Sequence, residues 1–252
     1  MISILELERL QPRVARTAPA RPRVAVPLPP DQAEIFYRAV LARWADTFGR
    51  MVLEETGAGP TRQDALGDWL EKMANLRARA AALSDAQSLG GNLLDVAGRV
   101  IRHATYETAR VLGIPTPGND LAVQRATFLR TNVQLIQNLT QEQLDQVERV
   151  LKAGGSAEQI QALVNVTANR ARLIATDQTL KLNAQVERVR LEAAGVQKYA
   201  WTTLEDGDVR PTHAALHDTV QTWASPPVVN RQGRRAHPGE DIACRCRARP
   251  VL

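Results

Sequence analysis

The sequence predicts a mainly α-helical protein in which a helical body is followed by a small α+β unit at the C-terminus. Hydrophobic residues make up 44% of the 252 residues but aromatic residues only 4%, and this Ala-, Leu- and Val-rich composition favours helices over sandwiches or barrels. Apolar residues recur at helical spacing up to Gly195, after which short strand and turn patterns take over. We therefore expect an extended arm over 1–30, a helical body over 31–195 and the α+β unit over 196–252.

The formal net charge is +5, and most of the cationic side chains are arginines. No stretch approaches the roughly 18 uncharged apolar residues of a membrane span, so we expect no membrane partner. Glu6, Glu8 and Arg9 interrupt the apolar residues at the N-terminus, which is untypical of a signal peptide. We expect the chain to be made and used in a cytoplasm.

Residues 11–30 contain six prolines and no acidic residue. Proline fixes φ and removes a backbone donor, so this stretch is expected to be extended and unable to fold alone. Arginines clustered outside helical periodicity favour a surface for a polyanionic partner. The candidate contacts with a partner or with DNA are Arg13, Arg16, Arg21 and Arg23 in the arm and Arg231, Arg234 and Arg235 near the C-terminus.

Helical spacing predicts four helices in the first part of the body. Asp31 is typical of an N-cap, and a loop at 56–61 and a Gly- and Pro-rich breaker at 113–119 separate successive helices. The first two predicted helices have apolar faces from Phe36 to Val52 and from Leu66 to Leu76, and the next two span about Ala86 to Leu112 and Asp120 to Asn138.

Two capping boxes follow. Thr140 with Gln143 is predicted to open a short helix through Lys152, and Ser156 with Gln159 is predicted to open the next one. A long, heavily charged helix is expected over 167–196, with Gly195 at its C′ position.

The C-terminal unit is predicted to begin with a strand from Tyr199 to Thr203, which leads into an acidic turn that includes Asp206 and Asp208. A brief helix with Thr212 as its N-cap is expected within 211–223, and the rest is loop and short strand.

Five candidate metal ligands fall in this unit. His213 and His217 are four residues apart, which on one helix face would let both imidazoles reach one ion. Zinc is the candidate cofactor, although the sequence does not require one. A Cys-x-Cys disulfide would close a strained ring, and burial of the thiols in a small core is the simplest interpretation. The candidate ligands are His213, His217, His237, Cys244 and Cys246.

Signatures of catalysis are missing from the sequence, which contains no G-x-S-x-G motif, P-loop or dinucleotide fingerprint. The alanines between His213 and His217 supply no general base, unlike the glutamate of zinc proteases. We therefore predict that the protein is not an enzyme and assign no catalytic residue. The alternative is a metal-dependent hydrolase or nuclease built on the two histidines and the acidic turn.

A set of ordered motifs covers about residues 165–250: a Trp-Thr strand, an acidic turn, an Arg-x-x-His and a Pro-Gly loop that ends in Cys-Arg-Cys. This pattern resembles the Mu F-like, or phage head morphogenesis, domain of minor capsid proteins. Asp177 stands where the family usually has Glu, Asp218 where Gly is common, and Gly207 lengthens the acidic turn. The matching positions include Trp201, Asp206, Asp208, Arg210, His213, Pro238, Gly239, Cys244 and Cys246.

The resemblance implies a minor capsid protein of a tailed phage that associates with the portal vertex during procapsid assembly. Its implied partners are the portal protein, the major capsid or scaffolding protein, and packaged double-stranded DNA, whose ejection such proteins influence. The implied location is the virion, in the capsid interior or at the portal vertex, after assembly in the host cytoplasm.

Overall fold

The structure, a computed structural model, describes residues 26–27, 29–56, 66–118 and 121–252, with the side chains of 66–69 left out. Most of the predicted arm lies outside the described residues, as does nearly all of the predicted loop at 56–61. The arm arginines that fall outside are Arg13, Arg16, Arg21 and Arg23.

In the described ranges, five long helices precede a small antiparallel sheet, so the mainly α prediction is confirmed. Within the described part of the chain, no helix is long and apolar enough to cross a membrane. The elements are α1 (Asp31–Thr56), α2 (Leu66–Leu83), α3 (Ala86–Leu112), α4 (Ala122–Lys152), α5 (Ala157–Ala193), β1 (Lys198–Thr202), α6 (Pro211–Ala214), β2 (Val220–Thr222) and β3 (Arg247–Val251).

Local capping explains where several helices begin and end. The side chain of Ser156 accepts from the Gln159 amide while the Gln159 side chain accepts from the Ser156 amide, so the predicted capping box is confirmed. Gly195 has φ of 81° and donates its N–H to the Glu192 carbonyl at 2.9 Å, which confirms it just beyond the end of α5. The side chain of Asp85 caps α3 by accepting from the Ser88 amide at 2.7 Å.

The predicted capping box at Thr140 is wrong, because Thr140 lies inside the continuous helix α4. Its hydroxyl donates to the Ile136 carbonyl at 2.7 Å and lies 2.7 Å from Ser84 Oγ. Trp44 donates its indole N–H to the same Ser84 oxygen at 3.2 Å. The hydroxyl thus joins a buried polar group between α1, α4 and the turn that links α2 to α3, and the chain continues as one helix through Thr140. Helix α5 is likewise unbroken from its first residue at Ala157.

Helix α5 lies at the centre of the helical body and packs against α1, α3 and α4. Its small residues Ala171 and Ala175 are buried in the main apolar cluster and allow close approach of the neighbouring helices. At Gly49 of α1 an added Cβ would lie 2.6 Å from Val164 Cγ1 of α5. The other helices contribute Tyr37, Val40, Leu41, Leu93, Val96, Val100 and Ile136 to the same cluster.

The sheet has the order β2-β1-β3, with both pairs antiparallel. The prediction of a helix over much of 211–223 is wrong beyond Ala214, and Thr212 is not its cap, because its hydroxyl donates to the Val229 carbonyl at 2.7 Å. Trp201 instead exchanges backbone hydrogen bonds with Thr219 and Asp218, so this segment turns and pairs with β1. Pairing with the central strand outweighs the helical pattern of the sequence.

We expect Gly49→Ala to lower the free energy of unfolding by about 1–3 kcal/mol, because the new methyl group overpacks the contact between α1 and α5. Adding Val164→Ala should recover much of the loss. Gly91→Ala on α3 is the matched control, since its Cβ would meet nothing within 4 Å, and it should stabilise by about 0.5–1 kcal/mol. Urea denaturation followed by circular dichroism measures all three, and equal stability of the two single variants would refute the packing argument.

Candidate functional site

The C-terminal loop lies directly on α5. Gly239 has φ of 83°, and a Cβ at this position would lie 2.6 Å from Ala184 Cβ. Pro238 beside it is buried. The Pro-Gly pair of the sequence motif therefore forms a turn whose backbone approaches the helix more closely than any other residue type permits.

Two carboxylates of α5 hold the chain on either side of the cysteines. Asp177 Oδ1 accepts the N–H of Ala243 at 2.8 Å, and Ala243 itself has φ of 49°. Glu187, which is fully buried, pairs with Arg247 at the start of β3. Burial raises the pKa of the Glu187 carboxyl above its ordinary value, and the Arg247 charge opposes that rise. No local motif of the sequence marks Glu187 or Arg247 as partners.

Between these anchors, Cys244 and Cys246 come together with His213 of α6. The Sγ atoms of Cys244 and Cys246 lie 3.5 and 3.6 Å from His213 Nδ1, and the three donor atoms lie within 4.8 Å of one another. Both sulfurs lie in this buried group, whereas Arg245 between them is exposed. We call these three residues the Cys–His cluster.

The Cys–His cluster is almost sealed from solvent, with exposures of 1% for His213, 3% for Cys244 and 5% for Cys246. Both cysteines are free thiols. A hydrogen bond from Cys246 lowers the pKa of Cys244 to about 6, and the same hydrogen bond together with burial raises the pKa of Cys246 above its ordinary value. The hydrogen bond between the two thiols therefore favours ionisation of Cys244 over ionisation of Cys246.

Asp241 and Arg234 stand behind the imidazole. Asp241 Oδ2 lies 3.5 Å from His213 Nε2, and no described residue forms a hydrogen bond with that nitrogen. Asp241 Oδ1 accepts from Arg234 at 2.8 Å and from the Ile242 amide at 2.9 Å. The Trp201 ring packs edge-on against the His213 ring, with centroids 5.5 Å apart. These contacts fix the orientation of the ring.

The structure does not bring the other two candidate histidines to this cluster. His217 lies beyond the end of α6, so it does not share a helix face with His213. Its Nδ1 lies 2.7 Å from Thr203 Oγ1. His237 is buried in a separate aromatic group, where its Nδ1 lies 2.8 Å from the Tyr199 hydroxyl. Burial lowers the pKa of His237, which favours its neutral form.

The acidic turn binds a guanidinium. Arg245 lies 2.9 Å from Asp206 Oδ2 and 3.3 Å from Asp208 Oδ2. Arg210 donates to the Ile242 carbonyl at 2.8 Å. The motif residues Asp206, Asp208 and Arg210 therefore tie the turn to the cysteine loop. Among the described residues, the candidate ligands that cluster are His213, Cys244 and Cys246, and this cluster includes neither His217 nor the acidic turn.

The candidate partner arginines near the C-terminus lie on one exposed turn. Asn230 Oδ1 accepts from the amides of Gln232 and Arg234 and shapes this turn. Arg231 is exposed at its tip, whereas Arg234 is paired with Asp241 and Arg235 donates to the Pro226 carbonyl at 2.8 Å. We call residues 230–235 the basic turn.

Residues 141–249 match the family model described as Phage Mu protein F like protein, which confirms the resemblance of the C-terminal part of the chain. The match starts within α4, upstream of the 165–250 expected from motifs. This family is a structural family of phage proteins. The predicted domain boundaries stay predictions.

A protein of Haemophilus influenzae described as "Uncharacterized protein" is 37% identical over 129 residues, which cover 48% of this chain. The aligned part spans 28% of that relative's length. No solved structure matches the chain.

We expect Arg247→Met to lower the free energy of unfolding by about 3–5 kcal/mol, because it leaves the Glu187 carboxylate buried without its cation. Adding Glu187→Gln should recover part of that loss. Arg249→Met is the control on the same strand: its partner Asp218 is partly exposed, and its loss should cost about 0–1 kcal/mol. Chemical denaturation measures each, and a similar cost for both arginines would show that the buried pair does not anchor β3.

Proposed function

We propose that the protein is a minor capsid protein that acts in head morphogenesis of a tailed phage. The observation that carries the proposal is the family match over residues 141–249. The structure supports it, because the motif residues build one compact unit: Gly239 seats the loop on α5, and Arg210, Asp206 and Asp208 hold the cysteine loop. These contacts account for the motif as fold-determining residues of a structural protein, and we propose no catalytic role for them.

The partner we propose is the portal protein, contacted during procapsid assembly in the host cytoplasm. Residues 11–30 of the arm carry arginines among prolines and no acidic residue, which suits a segment that orders on an acidic surface. Arg231 on the basic turn offers a second cationic contact. Further proposed partners that could present negative charge to these arginines are the major capsid or scaffolding protein and packaged double-stranded DNA. After assembly the protein would reside inside the capsid or at the portal vertex of the virion.

The proposal predicts that Arg231→Glu with Arg235→Glu lowers binding to portal protein about tenfold or more, since like charges across an interface are strongly unfavourable. Binding of the unmodified chain should weaken as salt rises, because exposed charge pairs are screened beyond about 10 Å at 0.1 M salt. Pull-down of purified portal at low and high salt measures both effects. The control carries Arg43→Glu and Arg130→Glu, two exposed positions on α1 and α4.

The protein composition of purified phage heads provides a second test of the portal proposal. Mass spectrometry of purified heads should find the unmodified chain and the control at equal levels, and the chain without residues 1–30 at a strongly reduced level. Normal incorporation of the truncated chain, or an unmodified chain that neither binds portal nor enters heads, would overturn the proposal. Binding to DNA but not to portal at either salt would reassign the basic residues to the packaged genome.

A further inference from the structure

We propose that the Cys–His cluster is a zinc site in which Cys244, Cys246 and His213 supply the three protein ligands. Two thiolates and an imidazole suit Zn²⁺ rather than Mg²⁺ or Ca²⁺, which take oxygen ligands. The site is independent of whether the chain docks on a portal.

The first support is the spacing of the donor atoms. With Zn–S of about 2.3 Å and Zn–N of about 2.0–2.1 Å at a tetrahedral angle, a sulfur and a nitrogen ligand lie about 3.6 Å apart. The Cys244 and Cys246 sulfurs lie 3.5 and 3.6 Å from His213 Nδ1. The two sulfur–nitrogen distances thus match those around a tetrahedral zinc ion, and all three donor atoms lie within 4.8 Å of one another.

The second support is the group behind the imidazole. A metal-bound histidine almost always donates its other ring N–H to a carboxylate or carbonyl. Asp241 Oδ2 faces His213 Nε2 at 3.5 Å, and that buried nitrogen has no hydrogen-bond partner among the described residues. A shift of a few tenths of an ångström forms this hydrogen bond. It places the proton on Nε2 and leaves the lone pair of Nδ1 directed at the sulfurs.

The third support is the charge balance. Zn²⁺ with two thiolates and a neutral imidazole has no net charge, so it can be buried at little cost, and the thiol protons are released to solvent on binding. The charge of Asp241 is balanced by Arg234 at 2.8 Å.

A small cavity of about 20 Å³ adjoins the cluster and is also lined by Leu204, Val209 and Arg210. This volume holds about one water molecule. We therefore assign three protein ligands and one water to the ion.

The test uses the full chain, purified with reductant, freed of metal by chelation and titrated with Co²⁺ and then Zn²⁺. The proposal predicts one ion per chain, a thiolate-to-cobalt charge-transfer absorption, and a higher melting temperature with Zn²⁺. Cys246→Ser and His213→Gln should abolish the charge-transfer absorption or weaken binding at least 100-fold, whereas the control His217→Gln should bind as the unmodified chain does.

Asp241→Asn separates positioning from ligation: it should keep the stoichiometry and the absorption while weakening zinc affinity about 10–100-fold. If Cys246→Ser does not fold, the cobalt absorption and the melting temperature of the unmodified chain still test the proposal. An unmodified chain that gains neither the absorption nor thermal stability overturns the proposal, as does Cys246→Ser that binds normally or His217→Gln that loses the metal.

Discussion

The burial of helix α5 is the constraint on which the rest of the structure depends. Apolar residues from both halves of the helix, including Ala171 and Val186, pack in the helical core between α1, α3 and α4 and fix its position. Its second half carries Asp177 and Glu187, which cannot remain buried without partners. Lys181 of the same helix pairs with Asp177 at 2.7 Å, and the C-terminal chain adds the amide of Ala243 for Asp177 and the guanidinium of Arg247 for Glu187. Ala184 leaves room for Gly239 between these two contacts. Three contacts therefore fix the register of the C-terminal chain on the helix.

The fixed register explains why two cysteines are separated by one residue. Cys244 and Cys246 lie on the buried side with His213, whereas Arg245 between them is exposed and contacts the acidic turn. The three consecutive residues Cys244, Arg245 and Cys246 therefore supply both thiols of the Cys–His cluster and the arginine that contacts the acidic turn. The motif residues are scattered in the sequence but contact one another in the fold. The Pro-Gly turn packs on α5, and the acidic turn binds Arg245 between the two cysteines.

Local signals in the sequence predicted those elements whose determinants are local. The bounds of α3 and the Ser156 capping box follow from helical spacing and nearby side chains. Thr140 failed as a cap because its hydroxyl contacts Ser84, 56 residues away in the chain. His213 and His217 do not share a helix face, because strand pairing with Trp201 ends the helix at Ala214. No local pattern in the sequence distinguishes His213 from His237 as the neighbour of the cysteines. The buried pair of Glu187 and Arg247 joins residues 60 apart and has no signature in sequence.

Native-state hydrogen exchange tests the central claim, that α5 and the C-terminal loop form one cooperative unit, most directly. Cooperative units open with a common free energy, which exchange measured amide by amide reports. The account predicts that the amide of Ala243 and the amides of β3 exchange with the same free energy of opening as the second half of α5. Exchange of residues 239–251 at a much lower free energy, while α5 stays protected, would contradict it.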